Sequence, residues 1–174
     1  EELAGLAMEP DIESRMVWQD VGVWHQQAGP FEEQAFQGKA PWTLLVQRVD
    51  CFHAGVSALR NTLPPVPRWR FDDVMVSFAT DQAGVGPHFD RYDVFLLQGM
   101  GRREGRIGPR CDDETPQLQE NELNLIPPFE PVETYVLEPG DVLYVPPGIA
   151  HWGVALGEAI TYSLGFRAPT VGDL

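Results

Sequence analysis

Of the four histidines in the chain, two stand where they could do chemistry. His88 lies in Gly84-Val85-Gly86-Pro87-His88-Phe89-Asp90. In an extended stretch, side chains two apart point to the same side, so His88 and Asp90 would share one interior while Phe89 turns away. One imidazole beside one carboxylate suits Fe(II), Mn(II) or zinc and leaves a third ligand to come from elsewhere. His151 is the candidate, at the end of Leu137-Glu138-Pro139-Gly140-Asp141-Val142-Leu143-Tyr144-Val145-Pro146-Pro147-Gly148-Ile149-Ala150-His151. Pro139-Gly140 predicts a type II turn into a buried strand, and Pro146-Pro147-Gly148 ends that strand and delivers His151 to the mouth of a barrel. Two imidazoles and a carboxylate would cover one face of an octahedral ion and leave the opposite face open. His25 and His53 have no such setting and read as surface or packing residues.

The elements that must position these groups are mostly short strands. After Arg68 the candidates are 73–79, 92–98, 102–107, 133–137, 141–145 and 159–166, each bounded by Gly, Pro or Asp clusters. This spacing predicts an all-β sandwich or barrel with helices packed at its N-terminal side. Helices are expected at 2–8 and 42–61, the second because Leu44, Leu45, Arg48, Val49, Phe52, Val56 and Leu59 recur with a 3.6-residue period. Pro64, Pro65 and Pro67 then stop it. The stretch 109–131 is polar and proline-interrupted, and reads as a long surface insertion between strands.

The 174 residues, 43% of them hydrophobic, suffice for one well-packed core. A formal charge of -14 repels phosphate and attracts basic ligands, so no direct nucleic-acid binding is expected and a basic peptide or protein is the better partner. Two cysteines, Cys51 and Cys111, make no disulfide framework and no zinc spacing, which favours a cytoplasmic setting. No membrane span is expected, because no apolar run approaches bilayer length, and the opening EELAGLAMEP lacks the parts of a signal peptide. The missing initiator Met suggests a fragment.

Three segments in order, GVGPHFDRYDVFLLQGMGRR, LEPGDVLYVPPGIAHWGVAL and ITYSLGFRAP, resemble the JmjC-type ribosomal oxygenases, and more narrowly their bacterial branch. The resemblance implies a double-stranded β-helix, a cupin-like jelly roll with N-terminal helices packed on it. On that reading 1–174 is a single catalytic domain, with 1–65 as its mixed helical part and 66–174 as the barrel. It further implies Fe(II), with 2-oxoglutarate and O2 as cosubstrates, and hydroxylation of an arginine side chain on the sixteenth protein of the large ribosomal subunit. Carried over position by position, His88, Asp90 and His151 match the iron ligands, while Ser77 and Arg103 match the residues that hold 2-oxoglutarate.

The residues themselves are consistent with those roles. Alternation in 73–78 sends Val74, Val76 and Phe78 to one face and Met75 and Ser77 to the other, so Ser77 can offer a hydroxyl inside the barrel. Arg103 follows an apolar strand, where its guanidinium could pair with a carboxylate through two hydrogen bonds. Thr161 and Ser163 are further candidates for the cosubstrate pocket. For a cationic substrate, Asp81, Asp93 and Glu104 are candidate acids, and Tyr92 and Trp152 could stack on a guanidinium. Arg102 and Arg106 read as solvated charges.

Two departures qualify the resemblance. The family continues past the cosubstrate arginine with a basic residue and a tryptophan, whereas this chain reads Arg103-Glu104-Gly105-Arg106. Gly105 is expected to leave a cavity costing on the order of 3 to 5 kcal/mol unless neighbours fill it. The family also runs on into a helical dimerisation region, which makes its members homodimers, and a winged-helix-like domain; neither follows Leu174 here. Alternatives are a 2-oxoglutarate oxygenase acting on another protein side chain, and a cupin-like metal-binding module with little turnover.

Overall fold

In the computed structural model the described residues are 1–38, 41–63, 66–118 and 123–167. The Pro64–Pro65 break, and the part of the tail that follows Arg167, lie outside them.

Strand structure begins well before Arg68. β1 (Ser14–Asp20) and β2 (Val23–Ala28) form a hairpin whose two loop residues, Val21 and Gly22, both have positive φ, at 46° and 80°. That geometry matches the right-handed twist of the strands it joins. β3 (Trp42–Val46) occupies the start of the predicted 42–61 helix, and all five of its residues are buried between β1 and β4 (Phe71–Ala79). A strand covered on both faces is a continuous apolar run, and its leucines fit a helical period equally well. Only Ala54–Leu59 is α-helical in this stretch; His53 caps that helix, its Nδ1 accepting from the Val56 N–H at 3.2 Å.

β5 (Asp93–Arg110) and β8 (Ile149–Phe166) are 18 residues each, where the turn pattern suggested shorter pieces. With β6 (Glu133–Leu137) and β7 (Val142–Val145) they complete one hydrogen-bonded sheet in the order β2-β1-β3-β4-β8-β5-β6, with β7 on β5. The first part of β5, Val94 to Leu97, pairs with β7 and the end of β8; Arg103 to Ile107 pair with β6 and the beginning of β8. The sheet thus turns a corner within both long strands, at Gly101 (φ 64°) and Gly157 (φ 83°), where a left-handed residue without a β-carbon is cheapest. Two facing walls result, which is the double-stranded β-helix.

β4 alternates as predicted: Val74 and Val76 point outward into a core with Met16, Trp42, Leu44 and Leu164, while Met75 and Ser77 face between the walls. The helix Glu2–Met8 contributes Ala7 to the outer core. Most described residues of the 109–131 stretch are exposed, as expected of an insertion between strands, but part of it is anchored. Leu123, Leu125 and Ile126 are buried, and the Ile126 N–H donates to the Pro87 carbonyl at 2.9 Å, so the segment packs against the residues that lead into His88. Its prolines and charges are real surface features, but they flank an apolar triplet that anchors it.

Candidate active site

The chain between β4 and β5 carries His88 alongside the first residues of β8. The His88 N–H donates to the His151 carbonyl at 3.1 Å and the His151 N–H to the His88 carbonyl at 2.8 Å, a short antiparallel bridge between two distant segments. Gly148, with φ 75°, donates to the Asp90 carbonyl at 2.8 Å, so the Pro146-Pro147-Gly148 turn fixes both segments at once. One ligand atom each from His88, Asp90 and His151 then lies within 4.8 Å of the others.

Each imidazole has its Nδ1 against a main-chain carbonyl, His88 at 2.9 Å from Gly86 and His151 at 3.1 Å from Ile149. A carbonyl only accepts, so Nδ1 carries the hydrogen and Nε2 keeps its lone pair for an ion. Burial, with His88 close by, lowers His151 to about 4 despite the opposing pull of Asp90, so its ring is neutral near pH 7. This cluster could hold one divalent cation.

Across the same cavity lies Arg103, buried at 7% exposure, with its Nε and one terminal nitrogen lacking any partner. Burial depresses its guanidinium to about 10. A charged group taken out of water with two empty donors is costly on its own, and its planar fork matches a carboxylate. Gly153 makes room for it: a methyl group there would stand 3.0 Å from Arg103 Cδ and 3.1 Å from Nη1. Ser77 and Thr161 adjoin in register; the Ser77 hydroxyl donates to the Thr161 carbonyl at 3.4 Å, and the Thr161 hydroxyl to Gln98 Oε1 at 2.9 Å. The cavity shared by all these groups has a volume of about 320 Å³, enough for one small organic acid. Gly153→Ala should therefore weaken binding of a small dicarboxylate such as succinate roughly tenfold by crowding Arg103, with little change in cation affinity; calorimetric titration of each ligand checks this.

Comparison with known proteins agrees with this geometry. Residues 58–174 match the JmjC domain family. The chain belongs to the JmjC family. Over all 174 residues it is 46% identical to the ribosomal protein uL16 3-hydroxylase of Escherichia coli and covers 46% of that protein. It is 36% identical to a probable ribosomal oxygenase of Haemophilus influenzae and covers 44% of it. This JmjC chain thus spans under half the length of these curated relatives. Among solved structures, the E. coli ribosomal oxygenase YcfD in complex with cobalt and 2-oxoglutarate superposes with a TM-score of 0.87 at 45% identity, over 98% of this chain and 44% of that one.

Of the residues expected to meet substrate in this JmjC fold, Tyr92 lines the cavity, and Trp152 and the three acids do not. Asp81 is exposed at a turn, accepting from the Gly157 N–H at 2.7 Å. Asp93 points to the opposite face of β5 from Val94, and is held by Arg70 at 2.5 Å and the Tyr144 hydroxyl at 2.6 Å. Glu104 accepts from Arg106 at 2.7 Å, and that guanidinium lies 4.5 Å from the centre of the Trp152 ring. Trp152 therefore stacks on an arginine of its own chain, and Arg106 is half-buried rather than freely solvated, because both alternate away from the cavity-lining Arg103 and Gly153. Arg102 is exposed as expected, and Ser163 and Thr161 both line the cavity.

Gly105 leaves no hole. A methyl group at Gly105 would meet Leu143 Cδ2 at 3.3 Å and Leu137 Cδ1 at 3.9 Å, so leucines from β6 and β7 fill the space. The cavity-lining acid that pattern reading missed is Asp73, one residue before the outward-facing Val74. Its alternation with Met75 and Ser77 was the available signal. Burial raises its carboxyl above the ordinary range, with Asp72 adding to the shift and an N–H from Arg48 opposing it. Burial, then Asp90 and Asp73, likewise raise the Tyr92 phenol.

Proposed function

We propose that this chain is the catalytic part of an iron(II)- and 2-oxoglutarate-dependent protein hydroxylase that oxidises an arginine side chain of ribosomal protein uL16. The observation that carries it is the buried Arg103, with two unpaired N–H donors, across one cavity from the His88, Asp90 and His151 cluster. In this reading the triad holds iron(II) by one face, and Arg103 takes the distal carboxylate of 2-oxoglutarate, with Ser77 and Thr161 beside it. Bound there, iron with its cosubstrate and oxygen supplies the oxidising power for C–H hydroxylation. The protein orients the reactants and excludes water.

Asp73 and Tyr92 supply the cation end. They flank Gly165 together, since a methyl group there would lie 3.5 Å from Asp73 Oδ1 and 3.7 Å from Tyr92 Cε2. A carboxyl raised by burial gains most from a cation, and the phenol ring offers a face to a guanidinium. The name of the E. coli relative and the net charge of -14 both favour a basic ribosomal substrate.

The test is incubation with Fe(II), 2-oxoglutarate, air and peptides tiling uL16, read by mass spectrometry for one added oxygen on an arginine and by succinate release. Oxygen found only on a histidine or lysine would overturn the arginine assignment while keeping the cofactors. Asp73→Asn is expected to raise KM for the modified peptide roughly 10- to 100-fold, checked by steady-state kinetics.

A further inference from the structure

Four charged side chains other than histidine line the cavity: Arg15, Asp73, Asp90 and Arg103. The last three serve the cation end, the metal and the cosubstrate. Arg15 serves none of these, and its side chain makes no ion pair or hydrogen bond among the described residues. Arg70, Arg91, Arg106 and Arg167, by contrast, each hold a carboxylate.

The sheet register says where Arg15 stands. Arg15 pairs with Leu45 and Leu45 with Ser77, so one row crosses β1, β3 and β4. Two strand spacings, roughly 10 Å, separate the backbones of Arg15 and Ser77, with the buried Leu45 side chain between them. Arg15 is therefore set apart from the cosubstrate pocket, which has its own guanidinium. It lies where the cavity extends sideways over Leu45 and Met75 toward β1.

Its neighbours on that side carry amides, which both donate and accept. Gln47 lines the wall with its amide nitrogen 3.4 Å from Met75 Sδ, a weak acceptor. Asn124 lines it from the facing segment, held in a left-handed conformation (φ 49°) between the buried Leu123 and Leu125. Asp73 and Tyr92 thus stand together by Gly165, and Arg15 is the unengaged charge on the side toward β1, with the amides of Gln47 and Asn124 on the same lining.

We propose that Arg15 is a substrate-binding residue that holds an oxygen acceptor of the bound peptide, a few residues from the arginine being oxidised. The inference rests on the hydroxylase reading and deepens it. A cationic side chain at the Asp73 end leaves the rest of an extended segment to cross the cavity toward β1. There an unpaired guanidinium meets either a main-chain carbonyl or a carboxylate of the peptide.

The experiment uses the uL16 peptide that the unaltered chain hydroxylates, with Arg15→Met and Arg15→Lys. Arg15→Met should raise KM for the peptide roughly 10- to 100-fold, the loss falling on KM rather than kcat, and Arg15→Lys should recover part of it. The dissociation constant for 2-oxoglutarate, measured anaerobically by the visible band of the iron complex, should shift less than about twofold. A peptide whose acids are replaced by amides separates the two acceptors: an undiminished Arg15→Met penalty identifies a main-chain carbonyl, and its disappearance a carboxylate.

An unchanged peptide KM overturns the proposal. So does a loss of 2-oxoglutarate affinity as large as the KM effect, which would assign Arg15 to the cosubstrate, or an equal KM loss in every Arg15 variant accompanied by a fall in the thermal midpoint. If the unaltered chain modifies no uL16 peptide, the hydroxylase reading fails and takes this inference with it. A modified peptide indifferent to Arg15 sinks this inference alone.

Discussion

His151→Ala should abolish succinate formation and remove the stabilisation that a divalent cation gives the folded chain. His151 is buried, neutral near pH 7, and fixed as a lone-pair donor by the Ile149 carbonyl, so no reorganisation is needed for it to bind an ion. Losing a partner that only orients a metal ligand typically costs 10- to 100-fold in affinity, and losing the ligand itself should cost at least about 100-fold. The bridge to His88 is made by main-chain atoms and survives the substitution. The missing ring opens onto an existing cavity, so the ion-free variant should unfold close to where the unaltered chain does. With cobalt at about 100 times its dissociation constant, the unaltered chain gains roughly 2.7 kcal/mol and the variant almost none. Thermal melts with and without cobalt measure the difference. An equal cobalt-induced rise in both proteins would sink the triad.

Both ligand segments were legible because their geometry is local. A period of two puts His88 and Asp90 on one side, and Gly140 (φ 99°) and Gly148 (φ 75°) sit where the Pro-Gly pairs predict left-handed residues. The Asp141 N–H donates to the Glu138 carbonyl at 2.9 Å, closing the expected turn around Pro139-Gly140. Side-chain alternation in β4 was equally readable, since Val74, Val76, Met75 and Ser77 fall as the pattern says. The first sixty residues were harder. Trp42 to Val46 satisfy a helical period while being a strand buried on both faces, and periodicity cannot decide which neighbours a run will meet.

On the substrate side Tyr92 lines the cavity, and the other candidates lie outside it for a related reason. Asp81, Asp93 and Trp152 were chosen for closeness in sequence to the ligands, but each is turned away or already engaged: Asp81 on a turn N–H, Asp93 on Arg70, Trp152 under Arg106. Adjacent residues of a strand face opposite sides, so the immediate neighbours of a cavity-lining residue are the worst candidates. Asp73, Met75 and Arg15 reach the cavity from strands other than those of the ligands. Only the pairing of β1, β3, β4 and β8 brings them there, and that order is not written in any local pattern.

Arg103→Met should make the ligand-free chain more stable by about 1 to 3 kcal/mol while weakening 2-oxoglutarate binding at least about 100-fold. The signs are opposite because the guanidinium is a liability until an anion arrives. Its Nε and one terminal nitrogen are buried without acceptors. Its folded value, about 10, lies below the ordinary 12.5, so the charged form is disfavoured by folding. For a base lowered in this way the cost is fully present below the folded value and fades only above it, so at pH 7 all of it is felt. Methionine has nearly the same reach without the donors, and its flexible thioether can follow the groove that Gly153 leaves open. Adding 2-oxoglutarate with a divalent cation should reverse the ranking, because only the unaltered chain has a fork for the distal carboxylate. Urea midpoints at pH 7 measure both effects in one pair of proteins. A variant that is less stable without ligand, and gains as much from 2-oxoglutarate as the unaltered chain, would show that Arg103 is held by the fold and not reserved for the cosubstrate.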